Sequence, residues 1–190
     1  MIFIFDTSSF VSLARYYLPF DSNQKIYEHF KRSLESGRII LIDGVLEECR
    51  YVSKKIVVQK LDFLEEKEFL KKNNLPLNTK DLIPAAPRKF YNMVDNNFTT
   101  PVVNQLSEIQ FEQLKKEYLA SADGKMVLYA FNEKHGNPDT ALTLVTEESS
   151  EANDNKAFKK LPAICKQLSI RSMNLPEYMR ISKDIDINFG

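Results

Sequence analysis

Short runs of continuous apolar residues recur along the chain and predict strands that are buried on both faces. The run 1–5 is the clearest, because it is apolar throughout and rich in β-branched and aromatic side chains. Continuous apolarity of this kind is typical of parallel strands that are covered by helices. The predicted strands are 1–5, 38–42, 141–145 and 169–173.

Apolar residues at helical spacing fill the intervals between these runs. Gly37 marks the end of the second predicted helix, and Ser121 is a candidate N-cap. Prolines interrupt the pattern between 73 and 101. Strands separated by helices predict an α/β fold with a mostly parallel central sheet, in a single domain over 1–190. The predicted helices are 10–17, 24–36, 45–72, 87–95, 106–119, 121–131 and 157–168.

The charged residues balance, with 26 Lys and Arg against 26 Asp and Glu, so the formal net charge is zero. A neutral chain has no overall attraction to nucleic acid, and any site for a polyanion must therefore be a local basic patch. The two cysteines, Cys49 and Cys165, are too few for a disulfide scaffold or a cysteine-rich zinc site. Their small number suits a reducing cytoplasm.

Nothing in the sequence predicts contact with a membrane. No apolar run approaches the roughly 20 residues that a membrane-spanning helix needs. The N-terminus has no basic segment ahead of an apolar one, because Asp6 follows the first run at once, so we expect no secretion signal. These features predict a cytoplasmic protein.

Acidic residues follow two of the predicted strands. Asp6 comes directly after the first strand, and Glu147 and Glu148 come directly after the strand 141–145. The carboxyl ends of parallel strands meet at one edge of a sheet, where ligands bind. A carboxylate directly after a buried strand is costly unless it is paired, hydrated or bound to a metal.

Two further acids, Glu48 and Asp123, lie near the starts of helices that can pack on the same edge. An acid in the first turn of a helix often only complements the helix dipole. A cluster of carboxylates without His or Cys is, however, the ligand set that Mg²⁺ and Mn²⁺ prefer. We expect His29 and His135 to lie at the surface, and both cysteines to lie in the core.

Four short motifs, in order along the chain, resemble those of PIN domains. In that family a strand ends in an acid followed by Thr or Ser, a Glu follows a Val-Leu pair by one residue, an Asp opens a helix, and a last strand ends in Thr-x-Asp. The segments are 4–8 (Ile-Phe-Asp-Thr-Ser), 45–48 (Val-Leu-Glu-Glu), 122–130 (Ala-Asp-Gly-Lys-Met-Val-Leu-Tyr-Ala) and 144–148 (Leu-Val-Thr-Glu-Glu). Segments 145–148 and 160–165, with the apolar strand that follows them, also resemble a group of PIN-like proteins of bacteria and archaea.

The resemblance implies a three-layer α/β/α fold and a metal-dependent endoribonuclease, often the toxin of a toxin–antitoxin pair. It implies that Asp6, Glu48, Asp123 and Glu148 hold one or two Mg²⁺ or Mn²⁺ ions. Ser8 would hydrogen-bond a ligand carboxylate or a metal-bound water. The implied partners are an RNA substrate, an antitoxin protein and a second copy of the chain.

Several alternatives stay open at this point. The fourth acid is Glu148 where PIN domains commonly have Asp, and Glu147 or Asp154 can take its place. A catalytically weak PIN-like module that binds RNA or a protein is the second hypothesis. An aspartyl phosphatase is disfavoured, because Ser8 stands where that chemistry usually has a second Asp. The candidate substrate-binding cations are Arg15, Lys125, Lys156, Lys159 and Lys160.

Overall fold

The central sheet consists of four parallel strands, in a computed structural model that describes residues 1–137, 141–149, 156–182 and 185. Residues Phe3 and Ile39 pair between the first two strands, and Phe5 and Val145 pair between the first and the third. The strands lie in the order β2-β1-β3-β4, so their carboxyl ends share one edge. They are β1 (Ile2–Phe5), β2 (Ile39–Ile40), β3 (Leu142–Val145) and β4 (Arg171–Met173).

Ten α-helices of the described residues flank this sheet, which confirms the predicted α/β fold with a parallel sheet between helices. The first helix continues as a π-helical segment, Leu13–Tyr17. The helices are α1 (Thr7–Ser12), α2 (Lys25–Glu35), α3 (Asp43–Cys49), α4 (Ile56–Lys60), α5 (Lys67–Lys72), α6 (Pro87–Asn96), α7 (Glu108–Ala120), α8 (Ala122–Gly136), α9 (Leu161–Leu168) and α10 (Leu175–Ile181).

An aromatic cluster joins the sheet to the helices α2 and α10. The ring of Tyr178 packs edge-on against Phe3 and Phe5, each at a centroid distance of 4.8 Å, and Phe5 packs against Phe30 at 5.5 Å. The Tyr178 hydroxyl and the His29 Nε2 lie 2.8 Å apart. The expectation that His29 lies at the surface was wrong, because this hydrogen bond and the surrounding rings bury it to 1% exposure.

The predicted helix over 45–72 is broken into three α-helices and two 3₁₀ turns. Its apolar residues Val57 and Val58, like Phe63 and Leu64, are adjacent pairs that all become buried. Adjacent side chains point about 100° apart on a helix, so a straight helix cannot bury both members of two such pairs against one core. The chain instead turns at 53–55, where three residues have positive φ.

The remaining differences are shifted ends of predicted elements and one helix that was not predicted. The second strand shortens from 38–42 to Ile39–Ile40, because Leu41 O accepts a hydrogen bond from Leu77 N outside the sheet. The first helix begins at Thr7, three residues before the predicted 10–17. Sequence analysis missed α10, which begins at an Asn174–Glu177 capping box. Gly37 ends α2 with a φ of 68°, and both cysteines are buried, as predicted.

No helix in the described ranges has both the length and the apolar character that crossing a membrane requires.

Candidate active site

Asp6 lies at the carboxyl edge of the sheet, between the end of β1 and the start of α1. Its backbone N–H donates to Val145 O at 2.9 Å, which ties the end of β1 to β3. Its Oδ2 accepts hydrogen bonds from Ser8 Oγ at 2.5 Å and from Thr146 Oγ1 at 2.9 Å. Two hydroxyls therefore hold the carboxyl in place. The residue is buried, with an exposed fraction of 6%.

Glu48 reaches the same edge from α3. Its Oε2 accepts a hydrogen bond of 2.5 Å from Thr7 Oγ1, the residue after Asp6. The pKa of the neighbouring Cys49 thiol is raised to about 12 by burial and then by the charges of Glu48 and Asp6. These two carboxyls therefore lie in one electrostatic environment, at the point where β1 meets α1 and α3.

Asp123 joins them from the first turn of α8. Ser121 Oγ accepts the hydrogen bond of Gly124 N at 3.1 Å and so caps this helix, as the sequence predicted. Burial, followed by the charges of Asp6, Glu148 and Glu48, raises the pKa of Asp123 to about 7, and the charge of Lys156 acts in the opposite direction. The other three predicted acids thus lie within electrostatic range of Asp123.

Two glycines allow the helices that carry these acids to approach. A Cβ on Gly44 of α3 would lie 3.2 Å from Ala122 Cα at the start of α8. A Cβ on Gly124 would lie only 2.0 Å from Tyr118 O, at the end of α7. Glycine at these two positions therefore lets the start of α8 sit close to both neighbours, which places Asp123 beside the sheet edge.

The two adjacent glutamates after β3 have different surroundings. Glu147 Oε1 accepts a hydrogen bond of 2.7 Å from Leu175 N, at the start of α10. Glu148 Oε2 accepts one of 2.9 Å from Leu161 N, at the start of α9. Glu148, not Glu147, acts on the pKa of Asp123. Asp154 lies outside the residues that the structure describes.

The donor set agrees with a hard divalent cation in its chemistry. Three of the acids have one oxygen anchored by a hydrogen bond, and burial together with the charges of these three raises the pKa of the fourth, Asp123. In the described part of the chain, however, no three His, Cys, Asp or Glu side chains are grouped closely enough to hold one ion. Mg²⁺ often binds one or two carboxylates and keeps several waters, so a pair of these acids is enough to hold such an ion.

A pocket of about 500 Å³ opens beside Asp123 and Glu148. Tyr118 and Phe158 form its aromatic wall. Of the five candidate cations, Lys156, Lys159 and Lys160 line this pocket. The other two are engaged elsewhere, because Arg15 donates to Ser53 Oγ at 3.0 Å and Lys125 donates to Thr79 O at 2.9 Å.

Comparison with known proteins identifies the family. A family model described as a domain of unknown function (DUF4411) matches residues 79–184, which is more than half of the chain. The chain belongs to this family. No curated protein and no solved structure gave a match.

The matched DUF4411 region contains α7, α8, β3, α9 and the pocket, whereas Asp6 and Glu48 precede it. The candidate site is therefore assembled from the family's domain together with the N-terminal part of the chain. The family's description names no activity, so an assignment of function depends on the geometry and on the sequence motifs.

Sequence analysis missed several residues that shape the site. Thr146 lies inside the quoted motif 144–148, and its position directly after a strand was a usable signal. Gly124 follows the motif's Asp123, but only the close approach of α7 explains why it is glycine. Tyr118 occupies an ordinary position on α7, and nothing in the local sequence distinguishes it.

Proposed function

We propose that the protein is a metal-dependent endoribonuclease, a PIN-like enzyme that hydrolyses phosphodiester bonds of RNA. The observation that carries this proposal is the convergence of four acids from separate elements at one sheet edge, where three of them raise the pKa of Asp123. Asp6 is buried, Asp123 and Glu148 are partly buried, and Glu48 is exposed. Holding carboxylates close together with part of their surface out of water is costly unless a cation offsets their charge. A hydrolase that uses a divalent cation provides a reason for this arrangement.

Asp6, Glu48, Asp123 and Glu148 would hold one or two Mg²⁺ or Mn²⁺ ions. When bound, such an ion lowers the pKa of a coordinated water and offsets the charge that develops on the phosphodiester. The hydroxyls of Ser8 and Thr146 orient Asp6, and the Thr7 hydroxyl orients Glu48. These hydrogen bonds reduce the rotational freedom of the carboxyls before a substrate arrives.

The biological role that we propose is that of a toxin in a toxin–antitoxin pair. Resemblance to PIN domains supports this role, together with an antitoxin protein and a homodimer as partners. The experiment that addresses the chemistry comes first, because it needs neither partner.

The test measures Mn²⁺ binding by calorimetry and cleavage of a mixed RNA pool. Asp6→Asn should lower the cleavage rate by more than about 100-fold, and Ser8→Ala by about tenfold, since outer hydrogen bonds to such sites commonly matter by 10- to 100-fold. Glu148→Gln should also impair both measurements.

Glu147→Gln is the matched control, because it changes the adjacent glutamate, which contacts the start of α10. We expect it to bind Mn²⁺ and cut RNA like the unaltered protein. Absence of both metal binding and cleavage at millimolar Mn²⁺ would sink the nuclease proposal. A PIN-like module that binds RNA or a protein would then be the better account.

A further inference from the structure

The pocket beside the acids has one acidic, one apolar and one basic part. The acidic lining consists of Glu117 and of Asp123 and Glu148, which also belong to the proposed hydrolytic site. Its volume of about 500 Å³ lies within the 300–1,000 Å³ that small-molecule sites usually occupy. The apolar lining comes from Val102, Leu106, Leu114, Tyr118, Ala157 and Phe158, and the basic lining from Lys156, Lys159 and Lys160.

The aromatic wall consists of stacked rings. The rings of Tyr118 and Phe158 are nearly parallel, at an interplanar angle of 13° and a centroid distance of 4.3 Å. Phe111, which precedes Tyr118 on α7, also stacks on Phe158, at a centroid distance of 6.3 Å and an interplanar angle of 27°. Phe158 and Tyr118 are only partly buried. Flat, partly exposed aromatic surfaces of this kind are where nucleic-acid bases stack in proteins that bind single strands.

The Tyr118 hydroxyl lacks a hydrogen-bond partner among the residues that the structure describes, although its oxygen is buried. The pKa of Tyr118 is raised by burial and then by Asp123, Cys165 and Glu148, so the hydroxyl stays protonated and lies in the field of the acidic groups. A buried hydroxyl without a partner is unfavourable. Its position on the pocket wall points to a ligand that accepts its hydrogen bond.

The basic side of the pocket agrees with a phosphate-bearing ligand. Lys156 is exposed, and its charge reaches Asp123, whose pKa it lowers. Lys159 donates to Asn97 O at 2.6 Å, which anchors this side chain at the rim. The three lysines stand against the three carboxylates of Glu117, Asp123 and Glu148 in the pocket lining, so they supply local positive charge for phosphate contacts without making the whole pocket basic.

We propose that this pocket binds one nucleobase of a single-stranded RNA, next to the phosphate that lies at the acids. The base would lie against the Tyr118–Phe158 wall and accept a hydrogen bond from the Tyr118 hydroxyl, and the lysines would contact the flanking backbone. This inference rests on the proposed nuclease function and specifies where that enzyme recognises its substrate. Bases inside a duplex are stacked and paired, so a duplex cannot place one in the pocket.

The test uses the full chain with Asp6→Asn, which keeps the RNA intact, and fluorescence anisotropy with labelled RNA tetranucleotides. Four further probes each lack the base at one position. We expect one missing base to weaken binding by about tenfold, in line with the usual contribution of one stacked base. The other three should change affinity by less than about threefold.

Leu114→Asp places a carboxylate in the pocket, and Ile109→Asp makes the same change on the same helix at an 82% exposed position outside the pocket lining. Leu114→Asp should lower the affinity for the intact probe by about tenfold. It should also make the affinity independent of which base is missing. Ile109→Asp should leave the affinity for every probe equal to that of the protein with Asp6→Asn alone. Tyr118→Phe keeps the stacked ring and should change the preference among the four bases, which a purely structural role would not.

The inference is overturned if all four base-free probes bind alike, if Leu114→Asp matches Ile109→Asp, or if no probe binds. Cleavage by the protein without Asp6→Asn is measured separately. Metal-dependent cleavage with no effect at Leu114 would leave the nuclease proposal standing and reject the base pocket. Pocket-dependent binding without any cleavage would do the reverse, rejecting the nuclease and retaining a site for single-stranded RNA.

Discussion

The Asp123 carboxyl combines partial burial with three negative neighbours, which is why its pKa rises to about 7. Its ordinary value is 3.8. In the metal-free protein, the folded state therefore binds a proton at Asp123 more tightly than the unfolded state does. A cation at this edge would have to displace that proton, so metal binding and proton release are coupled here.

The first prediction concerns stability against pH in the presence of a chelator. Because the folded pKa exceeds the unfolded one, the favourable contribution of protonated Asp123 is complete below about pH 4 and is lost as the pH rises through about 7. The free energy of unfolding should fall over this interval by about 2 kcal/mol more in the unaltered protein than in Asp123→Asn.

Urea unfolding at pH 5 and pH 8 measures this difference. The Asn variant is the matched control, because it keeps the shape of the side chain and removes the titration. Equal pH dependence in the two proteins would show that Asp123 titrates as it does in water, and the four acids would then not interact as described.

Among the elements, the junction between α7 and α8 has the tightest geometry in the site. Ser121 is the one residue between the two helices, and its Oγ donates to Tyr118 O at 2.7 Å while it accepts from Gly124 N. The absence of a side chain at Gly124 lets α8 start directly against the end of α7. This junction sets the positions of both Asp123 and the pocket wall at Tyr118.

The second prediction is that Gly124→Ala destabilises the protein by about 2–4 kcal/mol. The added Cβ would lie 2.0 Å from a backbone oxygen, and backbone cannot move aside as the end of a side chain can. Gly136→Ala, at the other end of α8, meets no atom within 4 Å. It should be neutral, or stabilising by up to about 1 kcal/mol, since Ala favours helix.

Urea unfolding of the two variants gives the comparison directly. If Gly124→Ala were as stable as Gly136→Ala, the close approach of α7 and α8 would not exist in solution. Mn²⁺ binding by a folded Gly124→Ala protein would also show how far the junction determines the position of Asp123.

At the scale of the whole molecule, α10 packs against β1, so a late helix contacts the first strand. Tyr178 contacts residues from the first strand and from α2, so the core contains segments from near both ends of the described chain. Its hydroxyl and His29 satisfy one another inside an otherwise apolar region. Ser33 Oγ also lies 3.4 Å from His29 Nε2, so loss of the tyrosine hydroxyl removes one of the contacts of this buried imidazole.

The third prediction is that Tyr178→Phe lowers the free energy of unfolding by about 1 kcal/mol, because the 2.8 Å hydrogen bond to His29 Nε2 is lost while the 3.4 Å contact of that nitrogen with Ser33 Oγ and the ring packing remain. Tyr91→Phe, at a 41% exposed position, should change it by less than about 0.5 kcal/mol. Thermal or urea unfolding of both variants measures the two changes in the free energy of unfolding. Equal stability would mean that His29 finds another partner or a water.

Local patterns in the sequence were sufficient to predict the sheet and most of the helices. A strand that is buried on both faces must be apolar along its length, and an amphipathic helix must repeat its apolar positions, so both signals lie within a few residues. For the same reason the acids at the ends of β1 and β3 could be assigned to one edge before the structure was known. The prediction of one helix over 45–72 was wrong, because the apolar side chains of this segment are buried in several directions and do not lie on one face of a helix.

Tertiary structure alone decided which of these residues meet. The different hydrogen bonds of Glu147 and Glu148 depend on where α9 and α10 begin, far along the chain. The pocket depends on α7 approaching the segment around Phe158, and the position of Asp123 depends on the close contact of α8 with the end of α7 at Gly124. Such contacts join residues that are distant in sequence, and no local pattern encodes them. The sequence by itself therefore determined the elements and their chemistry, while packing determined the arrangement of the site.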